Sequence, residues 1–224
     1  MKDSKSAYDS TQYDGEIRKS LPYYDEFHKQ VIDIVKATGL KHIDWLDTGC
    51  GTGKTAFEAI SAIKDTDISF TLCDISEKML EIAKEKLSKS DIIYRNISSG
   101  QLDYSDHFDI VTAIQSHHYL SKKDRITAVT NCYKSLRTNG IFIAFENICF
   151  SNEETDRLAL KRWENYMLSM GKTPEEVEKH LQRRNREYFP ITINEHISLL
   201  NNCGFKSAEL LWMSYTQAGF IAIK

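Results

Sequence analysis

The chain is poor in the features that would tie it to several whole classes of protein. No run of about 18 apolar residues occurs in its 224 residues, so no membrane-spanning segment and no membrane partner are expected. The opening "MKDSKSAYDSTQYDG" has no apolar core of the kind a secretory signal needs. Five cysteines, Cys50, Cys73, Cys132, Cys149 and Cys203, lie scattered without a C-x-x-C pair. That spacing supports neither a zinc site nor a disulfide framework; reduced thiols, a cytoplasmic setting and no metal are the plain expectation. Nor is there an excess of basic charge. A formal net charge of -3 and a pI near 6.2 give no global attraction to nucleic acid. Three prolines and ten glycines are thinly spread, and no repeat or low-complexity segment interrupts the chain.

What is present is an alternation. With 41% hydrophobic residues the chain can bury one core, and residues 1–224 read as a single domain. "HIDWLD" reads as a strand, and Gly53 to about Ile63 as a helix. "ISFTLC" is a second strand that ends at Asp74. Ser76 caps a helix with an apolar stripe of Met79, Leu80, Ala83 and Leu87. "DIIYR" and "FDIVTAI" are further strands, the latter apolar enough to be buried on both faces. Ser121 opens a helix running to about Leu136, which Asn139-Gly140 ends before a fifth strand, "IFIAFE". Beyond Glu146 the rhythm becomes helical and charged. Ser151 with Glu154 reads as a capping box, Thr173-Pro174-Glu175-Glu176 as a second helix start, and Thr192 with Glu195 as another capping box, whose helix stops at Gly204. Two final strands, "FKSAELLWMS" and "YTQAGFIAIK", form an antiparallel hairpin. The expected class is α/β: a doubly wound, Rossmann-like sheet of seven strands with a helical lid inserted after the fifth. Residues 1–40 would form a helical cover, 41–150 the ligand-binding core, 151–190 the lid, and 191–224 the last helix and hairpin.

The glycine-rich turn after the first strand, "DTGCGTGKT" from Asp47, selects the ligand. A nucleoside-triphosphate loop needs G-x-x-x-x-G-K-[ST], and the first glycine position holds Thr48. A dinucleotide loop needs G-x-G-x-x-G, and its third glycine position holds Lys54. What remains is an acidic strand end followed by G-x-G-x-G. Asp47 would repel a pyrophosphate and attract an ammonium. The amino-acid end of S-adenosylmethionine carries one.

With "DTGCGTG", "LCDISEKMLEIA" and "FDIVTAIQSHHYL", the chain resembles the class I S-adenosylmethionine-dependent methyltransferases over nearly its whole length. Within them, "YDGEIRKSLPYYDEF" and "NNCGFKSAELLWMSYTQAGFIAIK" are similar to the carboxy-S-adenosylmethionine synthases and their relatives. The resemblance implies S-adenosyl-L-methionine as cofactor, with S-adenosyl-L-homocysteine as product. It places the methionine end on Asp47 and on the backbone of Gly49, Cys50 and Gly51. Asp74 would accept from both ribose hydroxyls, a task suited to an acceptor-only carboxylate. Ile75 and Met79 would pack on the adenine, Asn96 and the Ile97 amide would meet its polar edge, and Ile114 and Gln115 would border the cofactor. Tyr13, Arg18 and Tyr24 match a segment that closes over the cofactor in relatives; Arg18, with Lys19 as an equal rival, would meet the methionine carboxylate.

The acceptor side is read more thinly. His117 and His118 follow the fourth strand, at the sheet edge where open α/β folds place their ligands. His117 is the candidate general base, since an unperturbed imidazole pKa near 6.5 suits that task, and His118 is a candidate substrate contact. In "RRNR", Arg183 or Arg184 would bind a carboxylate on an acidic substrate or on a modified cofactor, against the plain alternative of a solvated basic face. "AIQS" after the fourth strand lacks both the Asn/Asp-Pro-Pro-Tyr of exocyclic-amine methylation and the Pro-Cys of cytosine methylation, which disfavours nucleic acid. The function expected is methyl transfer to a small-molecule acceptor. Carboxy-S-adenosylmethionine synthesis is the first alternative, weakened by Ile114 where those enzymes carry asparagine, and cofactor binding without turnover is the second. A homodimer is compatible with either.

Overall fold

The computed structural model describes residues 13–88 and 91–224; the first twelve residues of the expected cover lie outside them. The sheet has seven strands in the order β3-β2-β1-β4-β5-β7-β6. Five run parallel: β1 (His42–Thr48), β2 (Asp67–Cys73), β3 (Ile92–Arg95), β4 (Phe108–Ile114) and β5 (Leu136–Asn147). The C-terminal hairpin of β6 (Ser207–Ser214) and β7 (Gln217–Ile223) closes the sheet, with β7 antiparallel to β5. β1 and β4 lie side by side at the centre, and from them the chain winds outward in both directions. Such a reversal leaves a crevice beyond the carboxyl ends of the strands. The sequence of β4 explains its central place, because every residue in it except Asp109 is buried.

Helices cover both faces. On one lie α1 (Tyr13–Ser20), α2 (Tyr24–Ala37), α3 (Lys54–Ala62), α4 (Glu77–Lys86) and the lid helices α6 (Glu153–Ser169) and α7 (Pro174–Leu181). On the other lie α5 (Lys122–Ser135) and α8 (Ile193–Asn202). α2 is anchored by Phe27, whose ring stacks on Phe145 of β5 at 4.9 Å and meets Trp212 of β6 edge-on at 5.4 Å. A fully buried aromatic of this kind contributes about 1.5–3 kcal/mol. Gly219 of β7 makes room for the stack: a Cβ there would come within 2.5 Å of the Phe145 ring.

Two expected boundaries move. β5 begins at Leu136, directly after α5, because Leu136 already pairs with Phe108; Asn139, at φ 68°, bends the strand rather than preceding it. The lid helix is capped by Asn152, not Ser151. Its side-chain oxygen accepts from the amides of Glu154 and Thr155, which places the cap one residue later than the capping-box pattern implies. The other caps, Ser76, Ser121, Thr173 and Thr192, stand where the sequence puts them.

Candidate functional site

The glycine loop between β1 and α3 turns on Gly49, Gly51 and Gly53, all at positive φ (70°, 55° and 73°). Gly49 is also required by space, because a Cβ would lie 2.5 Å from that of Ser116. The loop forms one wall of a groove of about 500 Å³ along the strand ends. Asp74 sits at the tip of β2 and holds the wall in shape. One carboxylate oxygen accepts from the Gly51 amide at 2.8 Å and the other from the Ser76 amide at 2.8 Å. Burial raises its pKa, with those two amide bonds opposing the rise. Asp74 is thus both helix cap and groove lining, and it leaves lone pairs for a diol.

Gly49, Gly51, Ile75, Met79, Ile97, Ile114, Gln115, His117 and Tyr13 share this groove with Asp74. Behind the loop a separate cavity of about 20 Å³ meets Asp47, Cys50, Tyr24 and again Tyr13, Gly49, Gly51 and Ile114. Asp47 is fully buried. Thr112 donates to its Oδ1 at 2.7 Å, while Oδ2 has no hydrogen-bond partner among the described residues. Burial pushes its carboxyl up to about 7. A buried carboxylate with a bare oxygen fits an incoming ammonium, which would supply both the missing bond and the missing charge. The residues present therefore fit the sulfonium cofactor. Cys50 has a thiol pushed up by burial and contributes small size rather than reactivity.

Four expected contacts fall elsewhere. Arg18 is tied in a half-exposed fork to Asp25 (2.7 and 2.8 Å) and to the Asp14 carbonyl, and it lines none of these cavities. Its rival Lys19 pairs with Glu16. Asn96 lies off the groove and donates through Nδ2 to the Asp74 carbonyl at 2.9 Å, bracing the strand tip. His118 is turned inward, its Nδ1 2.6 Å from Glu146, whose carboxylate also accepts from the amides of His117 and His118. Arg184 is held by Asp156 at 3.0 Å and lines none of the site's three cavities.

A third cavity, about 30 Å³, is lined in part by the lid. It shares Tyr13, Gln115 and Tyr119 with the groove and is closed by Trp163, Tyr188 and Arg183. Arg183 is buried. Its Nε donates to Glu187 at 2.7 Å, and it also bonds Tyr119; burial works against its charge, but Tyr119 and Glu187 outweigh it and raise its pKa. The floor is a closed ring of amides. Gln115 donates to Gln217 at 2.9 Å, Gln217 to Asn147 at 2.7 Å, and Asn147 back to Gln115 at 3.1 Å. Gln115 reaches the ring from a left-handed backbone (φ 54°). His117 borders the groove, but its Nε2 is paired with Ser99 at 3.0 Å, and burial lowers its pKa to about 4. The expected unperturbed imidazole is not there, because desolvation penalises the charged ring.

Sequence reasoning passed over Ser98–Gln101, Tyr119, Asn147, Glu146 and the lid aromatics. The first had a readable signal: Ser98 and Gln101 form a capping box on the short 3-10 turn that lines the groove. Glu146, at the carboxyl end of an apolar strand, was likewise visible as a charge with nowhere to go but a partner.

Comparison with known proteins agrees with this geometry. Residues 46–140 match the methyltransferase domain family. A carboxy-S-adenosyl-L-methionine synthase of Nautilia profundicola is 26% identical over 213 residues, spanning 95% of this chain and 90% of its own. One from Staphylococcus epidermidis is 25% identical, spanning 98% and 96%. The solved structure described as an S-adenosyl-L-methionine-dependent methyltransferase from Methanococcus maripaludis superposes with a TM-score of 0.64 at 18% identity, covering 100% of this chain and 97% of its own. Over residues 46–140 the chain is thus similar to the methyltransferase domain family, and over nearly its whole length to carboxy-S-adenosyl-L-methionine synthases at 25–26% identity.

Proposed function

We propose that this enzyme transfers the one-carbon group of S-adenosyl-L-methionine to a small, carboxylate-bearing acceptor held under the lid, in a cytoplasmic setting. Buried Arg183 carries the reading, as a cation in the wall of a cavity that shares Tyr13, Gln115 and Tyr119 with the cofactor groove. A guanidinium in such a place pairs with a planar anion through two parallel bonds. A cavity of about 30 Å³ takes a group of carboxylate size, and the groove of about 500 Å³ that shares its lining would take the rest of a small acceptor.

When bound, the cofactor supplies an activated methyl group. The chain's part is alignment and exclusion of water. Asp47 and the loop would hold the methionine end and Asp74 the ribose, while Tyr13 stands where all three cavities meet. Tyr119 and Gln115 border both groove and acceptor cavity, and so would orient the two reactants. His117 is neutral at physiological pH and a weak base, with its Nε2 engaged by Ser99. The acceptor therefore has to arrive nucleophilic, or nearly so.

A second reading is favoured by the same arginine together with the curated relatives: formation of carboxy-S-adenosyl-L-methionine, in which Arg183 would hold the carboxylate of the modified cofactor or of its donor. Mass spectrometry after incubation with S-adenosylmethionine and prephenate separates the two. A nucleoside product heavier by a carboxylate establishes the second reading; S-adenosylhomocysteine formed only with some other carboxylic acid establishes the first. In either case Arg183→Met should reduce turnover by about 30-fold or more, the effect of truncating a buried charged partner, while S-adenosylhomocysteine affinity stays within about twofold. An unchanged rate would defeat the acceptor site.

A further inference from the structure

The small cavity behind the glycine loop contains a second feature that neither the family model nor the nucleotide motifs assign. His28 enters it from α2, a helix of the N-terminal cover. The ring is buried, packed edge-on against Tyr24 at 5.0 Å. Its Nδ1 lies 3.1 Å from the Thr55 hydroxyl, and its Nε2 has no partner among the described residues. Asp47 Oδ2, in the wall of the same cavity, has none either. Two buried, unsatisfied polar atoms around a cavity of about 20 Å³ are a costly arrangement unless one group answers both.

The protonation pattern says what kind of group that is. In the tautomer that carries its proton on Nδ1, the ring donates to the Thr55 hydroxyl oxygen at 3.1 Å and leaves Nε2 as a lone pair. Burial keeps the ring neutral, with its pKa lowered to about 3. The cavity thus presents a carboxylate oxygen and an imidazole lone pair, both acceptors. A carboxylate would be rejected there. The nearest cation, Lys54, is bound to Asp25 at 3.1 Å and to Glu58. The complement is a compact donor with several N–H bonds and a positive charge, and the volume admits about one such group.

We infer that His28 Nε2 accepts a hydrogen bond from the α-ammonium of the bound cofactor, sharing that group with Asp47. The N-terminal cover thereby reads the amino-acid end of the ligand directly, and selects molecules that keep the amine over adenosine fragments that lack it. The inference rests on the cofactor assignment, which is tested separately by whether the unaltered protein binds S-adenosylhomocysteine at all.

The test is calorimetric titration of the full chain and two variants, His28→Leu and His28→Gln, with three ligands: S-adenosylhomocysteine, its deaminated analogue and 5′-methylthioadenosine. Leucine removes the acceptor at similar bulk; glutamine returns an oxygen acceptor. His28→Leu should weaken S-adenosylhomocysteine by about tenfold or more, the effect of a lost bond to a charged group, and leave the other two ligands within about twofold. His28→Gln should recover most of the loss. The deaminated analogue serves as the second arm of a double cycle, since the amine and His28 are coupled only if they touch. Equal weakening of all three ligands would assign His28 a purely structural role and overturn the inference. So would undiminished S-adenosylhomocysteine binding in His28→Leu.

Discussion

The two ends of the binding crevice are built in different ways. At the cofactor end, the bonds that shape the loop wall reach backbone groups 2 to 23 positions away: Asp74 to the amides of Gly51 and Ser76, and Asn96 to the Asp74 carbonyl. At the lid end they span far longer stretches of chain. Gln115 meets Gln217 across 102 positions, and Trp163 donates to the Ser20 carbonyl across 143. Tyr166 reaches the Arg18 carbonyl in the same way, so the lid is pinned to the cover helix α1. One end is a property of two turns; the other is a property of the whole fold. The cofactor end should consequently fail locally when altered, whereas the acceptor end should fail together with the fold.

That contrast can be broken at its strongest point. Asp74→Ala removes the carboxylate proposed for the ribose and both amide bonds. It should weaken S-adenosylhomocysteine by about 1.5–3 kcal/mol in calorimetry, and the freed amides should cost about 1–3 kcal/mol of unfolding free energy in urea titration. A loss of stability with unchanged affinity would mean that Asp74 only shapes the loop. Trp163→Phe tests the other end. It leaves the buried Ser20 carbonyl without its indole donor at 2.6 Å, and should lower unfolding free energy by about 1–3 kcal/mol in urea titration. No loss of stability there would erase the distinction.

A third effect sharpens the comparison through pH. Asp47 has its carboxyl raised to about 7, so below that pH it is protonated and cannot pair with an ammonium. Cofactor affinity should rise by about tenfold per pH unit from pH 5 towards 7 and then level, with proton release seen as a buffer-dependent heat. The sign follows because the bound form favours the ionised carboxyl. The ligand-free fold binds more protons than the unfolded chain between about pH 4 and 7, so this group lowers its stability as pH rises through that window, and the cofactor cancels the loss. A flat affinity profile would remove Asp47 from the ammonium site. The smallest effect expected is at Arg18. Its exposed pairing with Asp25 predicts that Arg18→Ala changes cofactor affinity by less than about 1 kcal/mol. A larger loss would put that side chain back on the methionine carboxylate.

The same contrast governs how much could be read from the chain alone. The five parallel strands, the hairpin and most helix starts were legible, because caps and apolar runs are local signals, whereas the order of the strands in the sheet is not one. Gly49, Gly51, Asp74 and Met79 were legible as groove residues for the same reason. Arg18 pairs with Asp25, one helix later, and nothing in its neighbourhood in the chain indicates that pairing. His117 and His118 look equivalent in sequence; only the distant Ser99 and Glu146 decide that both imidazoles are engaged inside the protein. Arg183 and Arg184 differ in which of them lines the cavity, and the short segment between α7 and α8 carries no periodicity from which to read that.

The amide ring beneath the acceptor cavity has a consequence for descent. Gln115, Asn147 and Gln217 satisfy one another in a cycle, on the ends of three different strands. Changing any one to an apolar residue strands a donor on one neighbour and an acceptor on the other, at about 1–3 kcal/mol apiece, in a fold whose whole margin is about 5–15 kcal/mol. Selection acting on one substitution at a time therefore finds no gentle path through this floor. A lineage that takes on new acceptors has freer choice along the groove walls, at Leu120, Asp124 and Thr127, whose side chains form no part of that cycle. Divergent relatives should keep the three amides as a set or lose them as a set, with intermediates rare.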